Sequence, residues 1–321
     1  MTTAPDSPVP PAAATVPQAP LRSDAIGVLA VMVGACCIAL APIMVKLSPL
    51  GPQGSVFWRL AMAVPFLLLW TWMERRHRTP GATPSGAVVP RPWIWMVLAG
   101  VLFAADLITW HAGIVRTSAA NATMLANLTP VVVVLVTWVT TRRLPHGLFL
   151  TAVAVALAGS ALMSGGTPGQ TAEQLTGDIL SALTSVWYAA YILVTARVRG
   201  SVGTGEAMLV TTVVALPIAW AACLVAGEPL WPSSGTLLDQ ALAMWPLVVL
   251  GVVVHVGGQG LLAFALGRVS AAIASVLILI QPVGAALLGW VLLHEVLGPL
   301  QLVGGALVLF GVWLARRPVK A

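Results

Sequence analysis

The chain has 321 residues, 59% hydrophobic and 8% charged, with a mean hydropathy of +0.95. Soluble domains carry roughly 25% charged residues, so a water-soluble core protein is excluded; at about 20 apolar residues per crossing the length suits ten membrane helices and no extramembrane catalytic domain. A formal charge of +6 would suggest nucleic acid in a soluble chain, but in a membrane chain it reports topology, and no nucleic-acid partner is expected.

The first twenty residues hold six prolines and no Lys or Arg, unlike a cleavable signal. Residues 1–24 therefore read as a disordered cytoplasmic tail. Apolar runs of spanning length then fall at 26–47, 56–73, 93–115, 118–140 and 147–163. After a Gly, Pro and Thr break at 165–171, five more follow at 206–225 and its neighbours 175–198, 241–266, 271–293 and 300–315. The two groups define a first repeat over 25–165 and a second over 172–317. Connecting stretches are short and rich in Pro, Gly, Ser or Thr.

With the tail in the cytoplasm, thirteen of the sixteen basic residues lie in inside segments, among them Arg75, Arg76, Arg142, Arg143, Arg316 and Arg317. Only Lys46 and Arg116 lie outside. This asymmetry obeys the positive-inside rule with both termini cytoplasmic, which an even number of helices permits. Lys46 and Arg59 sit near the ends of apolar spans, where long basic side chains can snorkel, and anchoring is the expected role of each.

The two halves are related. A gapless shift of 152 residues lays Arg116 on Arg268, Pro130 on Pro282, Trp138 on Trp290 and Gly159 on Gly311, and from Arg116 to Ser164 it makes 17 of 49 positions identical. A fixed register through Arg, Pro, Trp and Gly is more than shared apolar composition supplies. Five helices per copy bring the second copy into the membrane upside down. The predicted fold class is thus an all-α membrane protein of ten transmembrane helices in two inverted five-helix repeats. Such repeats place a midplane binding site between them and open it to alternate faces.

The stretch from Trp110 and His111 through Arg116 to Pro130, its echo from Arg268 to Pro282 followed by His294 and Glu295, and Phe57-Trp58-Arg59 opening the second helix together resemble the drug/metabolite transporter superfamily, EamA-like branch. The resemblance covers both repeats. It implies a ten-helix carrier of the bacterial inner membrane, often an exporter of amino acids or other small metabolites, with a cavity between the halves. The family commonly has a Gly-Glu pair after the fourth helix as well as the ninth, and here Arg143 occupies the position matching Glu295.

Several residues are candidates for the substrate site. Asp106 lies in the middle of the third helix, where a carboxylate costs about 2.5 to 3.5 kcal/mol unless paired or hydrated. His255 lies in the middle of the eighth helix, the repeat partner of the third. Trp110 and Gln259 follow them at four-residue spacing on the same helical faces; the alternative for Asp106 and His255 is a local hydrogen bond that serves packing. Trp187 and Tyr191 share a face of the sixth helix with Tyr188 adjacent, and aromatic groups suit a small amphipathic metabolite; a packing belt is the other reading. Asn127 and Gln281 precede Pro130 and Pro282, where each proline frees a carbonyl one turn back, either for a polar site or for a neighbouring helix.

The expected partners are a small-molecule substrate, an amino acid or related metabolite, and the lipid bilayer. No cofactor or metal is implied: Cys36, Cys37 and Cys223 lack ligand or redox spacing, and no Walker motif occurs. An intramembrane zinc protease fails because no second His follows His294-Glu295 at the required spacing. A channel or structural membrane partner stands as the alternative to a carrier.

Overall fold

The computed structural model describes residues 24–77, 89–117, 119–142, 145–164, 171–293 and 298–315. The expected tail lies outside these residues apart from Asp24, as do Arg143, His294 and Glu295. The described residues form ten helical stretches. They are α1 (Ala25–Lys46), α2 (Pro52–Arg76), α3 (Pro92–Ile114), α4 (Ala119–Ala126 continued by Thr129–Thr141), α5 (Gly147–Ser164), α6 (Ala172–Val198), α7 (Thr204–Ala226), α8 (Leu237–Ala265), α9 (Ala271–Leu277, Ile278–Ile280 and Gln281–Leu293) and α10 (Pro299–Ala315).

Eight of these helices are long and apolar enough to cross a bilayer; α5 and α10 are apolar but shorter. The expectation of ten full-length spans is corrected to that extent. Seventeen residues in α10 reach only about 26 Å at roughly 1.5 Å per residue, against a hydrocarbon core of roughly 30 Å. Much of the outward surface is apolar: Ile179, Trp93 and Val225 are exposed, Val225 by 89%. In water such a surface would drive aggregation; against acyl chains it is the solvated face.

Two of the helix pairs equated by the 152-residue offset, α5 with α10 and α2 with α7, pack against each other in antiparallel fashion. Gly159 of α5 faces the backbone of Gly304 and Val308 in α10, and Gly311 of α10 faces Ala152 and Ala156 in α5. A Cβ on Gly159 would lie 2.7 Å from the Val308 nitrogen, and one on Gly311 would lie 2.8 Å from that of Ala156. Each contact becomes the other when 152 is added to one partner and subtracted from the other. Small residues are needed here because the two backbones approach without side chains between them.

The α2 and α7 pair is joined at both ends by carboxylates. Glu74, at the end of α2, accepts hydrogen bonds from the amides of Thr204 and Gly205, both 2.8 Å, at the start of α7. Glu228, just beyond α7, accepts from Gln53 and Gly54 at the start of α2, at 2.8 and 2.9 Å. Both helices lack a side-chain cap of their own, so each borrows its partner's acid to satisfy amides that a helix start leaves unpaired. This is why α2 begins four residues before the apolar run that marks it in the sequence.

The remaining contacts also exchange under the repeat pairing: α3 packs on α6 as α8 packs on α1, and α3 on α7 as α8 on α2. One end of the bundle is closed by Val28, Val31, Leu262, Leu266, Val276 and Leu277. There Asp24 caps α1 through the Ile26 amide and pairs with Arg268, and these two contacts, the arginine's first, hold the Asp24 carboxyl below its usual range.

Glu74→Ala and Glu228→Ala are each expected to lower stability by about 0.5 to 2 kcal/mol, the range for a lost helix cap. Because the two clamps sit at opposite ends of the pair, the double variant should show an additive loss. Thermal unfolding of the purified protein in detergent measures both.

Candidate functional site

Toward the other end, where α1 and α3 terminate, the helices part around a cavity of about 630 Å³, measured out to its opening. Its wall is mostly apolar, with Ile38, Pro42, Leu107 and Ile278 among the lining residues. Irregular backbone surrounds it. Helix α1 bends after Ile38 ahead of Pro42, α4 breaks between Ala126 and Thr129 ahead of Pro130, and α9 tightens to a 3₁₀ turn at Ile278–Ile280 ahead of Pro282. In a membrane, broken helices are tolerated where they line such a space.

Six sequence-expected residues line this cavity: Asp106, Trp110, Asn127, Tyr188, Gln259 and Gln281. Asp106 and Trp110 come from successive turns of α3. Tyr188 of α6 donates a hydrogen bond to Gln259 Oε1 at 3.4 Å, which bridges the two sides of the wall. Asn127 is buried at the break in α4, and its side-chain nitrogen has no hydrogen-bond partner.

Three expected residues lie elsewhere. Tyr191 is in the core, packed on Phe103 with ring centroids 4.8 Å apart and its hydroxyl directed at the Met208 sulfur; it borders a separate, smaller cavity of about 240 Å³. Trp187 is half-buried outside the cavity wall. The cavity face of α6 is the one carrying Thr184 and Tyr188, one position round from the stripe of Trp187 and Tyr191. His255 is fully buried, with Nε2 2.8 Å from Thr212 Oγ1 and its ring against Phe103. Residues 250–259 of α8 form a π-helix, whose hydrogen bonds run five residues back. His255 is turned to Thr212 and Phe103, whereas Gln259 lines the cavity.

The structure also corrects Arg59. Its side chain is 2% exposed and lines the cavity rather than reaching for an interface. Thr184, bonded to Thr109 at 2.9 Å, is a further lining residue. The sequence signal for Arg59 was its position seven residues inside α2, visible only once the helix start was known; for Thr184 it was the four-residue spacing to Tyr188. His111 shows the same buried pattern as His255, with Nδ1 3.0 Å from Ser55 Oγ.

Residues 25–165 and 175–317 each match the EamA-like transporter family. The chain belongs to that family. This EamA-like protein is therefore a multi-pass membrane transporter of small molecules. A solved crystal structure is similar to it over 93% of this chain and 97% of its own, with a TM-score of 0.68 and 18% sequence identity; that likeness speaks for the fold alone. Among curated proteins, no sequence matches the chain.

Truncation separates wall from core. Tyr191→Ala should lower thermal stability by about 3 kcal/mol or more, as for other buried aromatics, whereas Tyr188→Ala should mainly reduce transport. Asp106→Asn should cut transport in reconstituted vesicles by about tenfold or more, the worth of one hydrogen bond to a buried charge, with the protein still eluting as a folded species. His255→Gln should leave substrate affinity within about twofold of wild type.

Proposed function

We propose that this EamA-like transporter is a secondary carrier that exports small, largely apolar amino acids or related metabolites across the bacterial inner membrane by alternating access. The observation that carries the reading is the cavity at the meeting of α1, α2, α3, α4, α6, α8 and α9, with a mostly apolar wall and a small set of convergent polar groups. All ten helices cross the membrane in this reading, α5 and α10 as a short antiparallel pair. The two repeats, 25–165 and 172–317, are inverted copies, supported by the 152-residue register and by the exchange of contacts between equated helices. Such repeats rock about a central site.

Both termini lie in the cytoplasm by the distribution of basic residues. On that orientation the cavity opens toward the periplasm, and the closed end with its Asp24 and Arg268 pair faces the cytoplasm. Asp106, Trp110, Asn127, Tyr188, Gln259 and Gln281 contact the substrate. No ATP-binding motif is present in the sequence, so transport runs on gradients.

Uptake and efflux of labelled amino acids, nucleosides and sugar phosphates in vesicles reconstituted with the full chain, with and without a pH gradient, test the reading. Apolar amino acids should compete best. Sugar phosphates or nucleotides outcompeting every amino acid would overturn it. Reporters active on one side of the membrane, fused to Met1 and to Ala321, should both report the cytoplasm, and a periplasmic signal from either would overturn the topology.

A further inference from the structure

Arg59 and Asp106 are the formally charged residues among those lining the cavity. Both are almost wholly buried, at 2% and 5% exposure. Buried ions of opposite sign ordinarily pair, because each loses its hydration and the partner replaces it. Here no ion pair or hydrogen bond joins them, in contrast to Arg268 with Asp24. The guanidinium Nε of Arg59 has no hydrogen-bond partner at all. Arg59 is the largest fully buried side chain among the described residues.

An arginine and a carboxyl group that line one cavity without pairing form a site with two poles. A ligand that carries an ammonium and a carboxylate completes both poles at once. A net anion satisfies Arg59 and is repelled by Asp106; a net cation does the reverse. The planar fork of the guanidinium matches a carboxylate through two parallel hydrogen bonds, and Asp106 accepts from an ammonium.

We infer that Arg59 is the residue that binds the carboxylate of the substrate while Asp106 binds its ammonium, so that the transporter selects free zwitterionic amino acids over molecules bearing either charge alone. This rests on the amino-acid reading proposed above and specifies what that reading leaves open. The apolar wall, with Ile38, Leu107, Trp110 and Ile278, is left to accept the side chain, which favours neutral amino acids over acidic or basic ones.

The test is binding to the purified full chain, measured for leucine and phenylalanine, each beside its deaminated acid and its decarboxylated amine. Wild type should bind each amino acid about tenfold or more tighter than either analogue, since each analogue leaves one buried charge without a hydrogen-bonding partner. Arg59→Gln should bring the amino acid down to the level of the amine and leave the amine within about twofold. Asp106→Asn should do the converse, with the acid unaffected. Arg59→Lys, which keeps the charge without the fork, should fall between. If Arg59→Gln does not fold, the wild-type analogue series and Arg59→Lys still decide. Wild type binding amino acids and analogues alike, or a folded Arg59→Gln that keeps full amino-acid affinity or loses the amine equally, overturns the two-pole assignment alone. Wild type that binds no amino acid overturns the substrate reading, and this assignment with it.

Discussion

Hydrocarbon offers no hydrogen bonds, and the architecture follows from that deficit. Many of the polar groups inside the bundle are satisfied by protein, and others line the cavity. The helix starts of α2 and α7 show the first solution, each taking a carboxylate from the far end of its antiparallel partner. The buried histidines show it again, His111 held by Ser55 and His255 by Thr212. Arg59, Asp106 and Asn127 show the second solution, gathered where the helices are broken and the space between them is open.

The scaffold is symmetric and its chemistry is not. Equated helices exchange their contacts, down to the two glycines that let α5 and α10 touch backbone to backbone. Yet the positions 152 residues beyond Arg59 and Asp106 are Thr211 and Gly258, so both charges of the cavity come from the first repeat. The second repeat contributes neutral groups, Thr184, Tyr188, Gln259 and Gln281. A duplicated frame thus provides the scaffold, while divergence of a few side chains gives the cavity its polarity.

Hydropathy, the basic residues and a fixed internal register were enough to read this EamA-like chain as a helical membrane protein built twice, because apolar length and charge asymmetry act along one dimension. The pairing of Asp106 with Trp110 was legible for the same reason: α3 is a regular helix and four residues make a turn. Three things needed the tertiary structure. Whether the stripe of Trp187 and Tyr191 or that of Tyr188 faces the cavity depends on how α6 is rotated against α3. His255 parts from Gln259 because Thr212 of α7 and Phe103 of α3 take up the imidazole, contacts that no residue type announces. Arg59 lies inside the bundle two turns into a helix whose start is capped by Glu228, 169 residues further along the chain, and contacts between residues so distant exist only once the two repeats have packed.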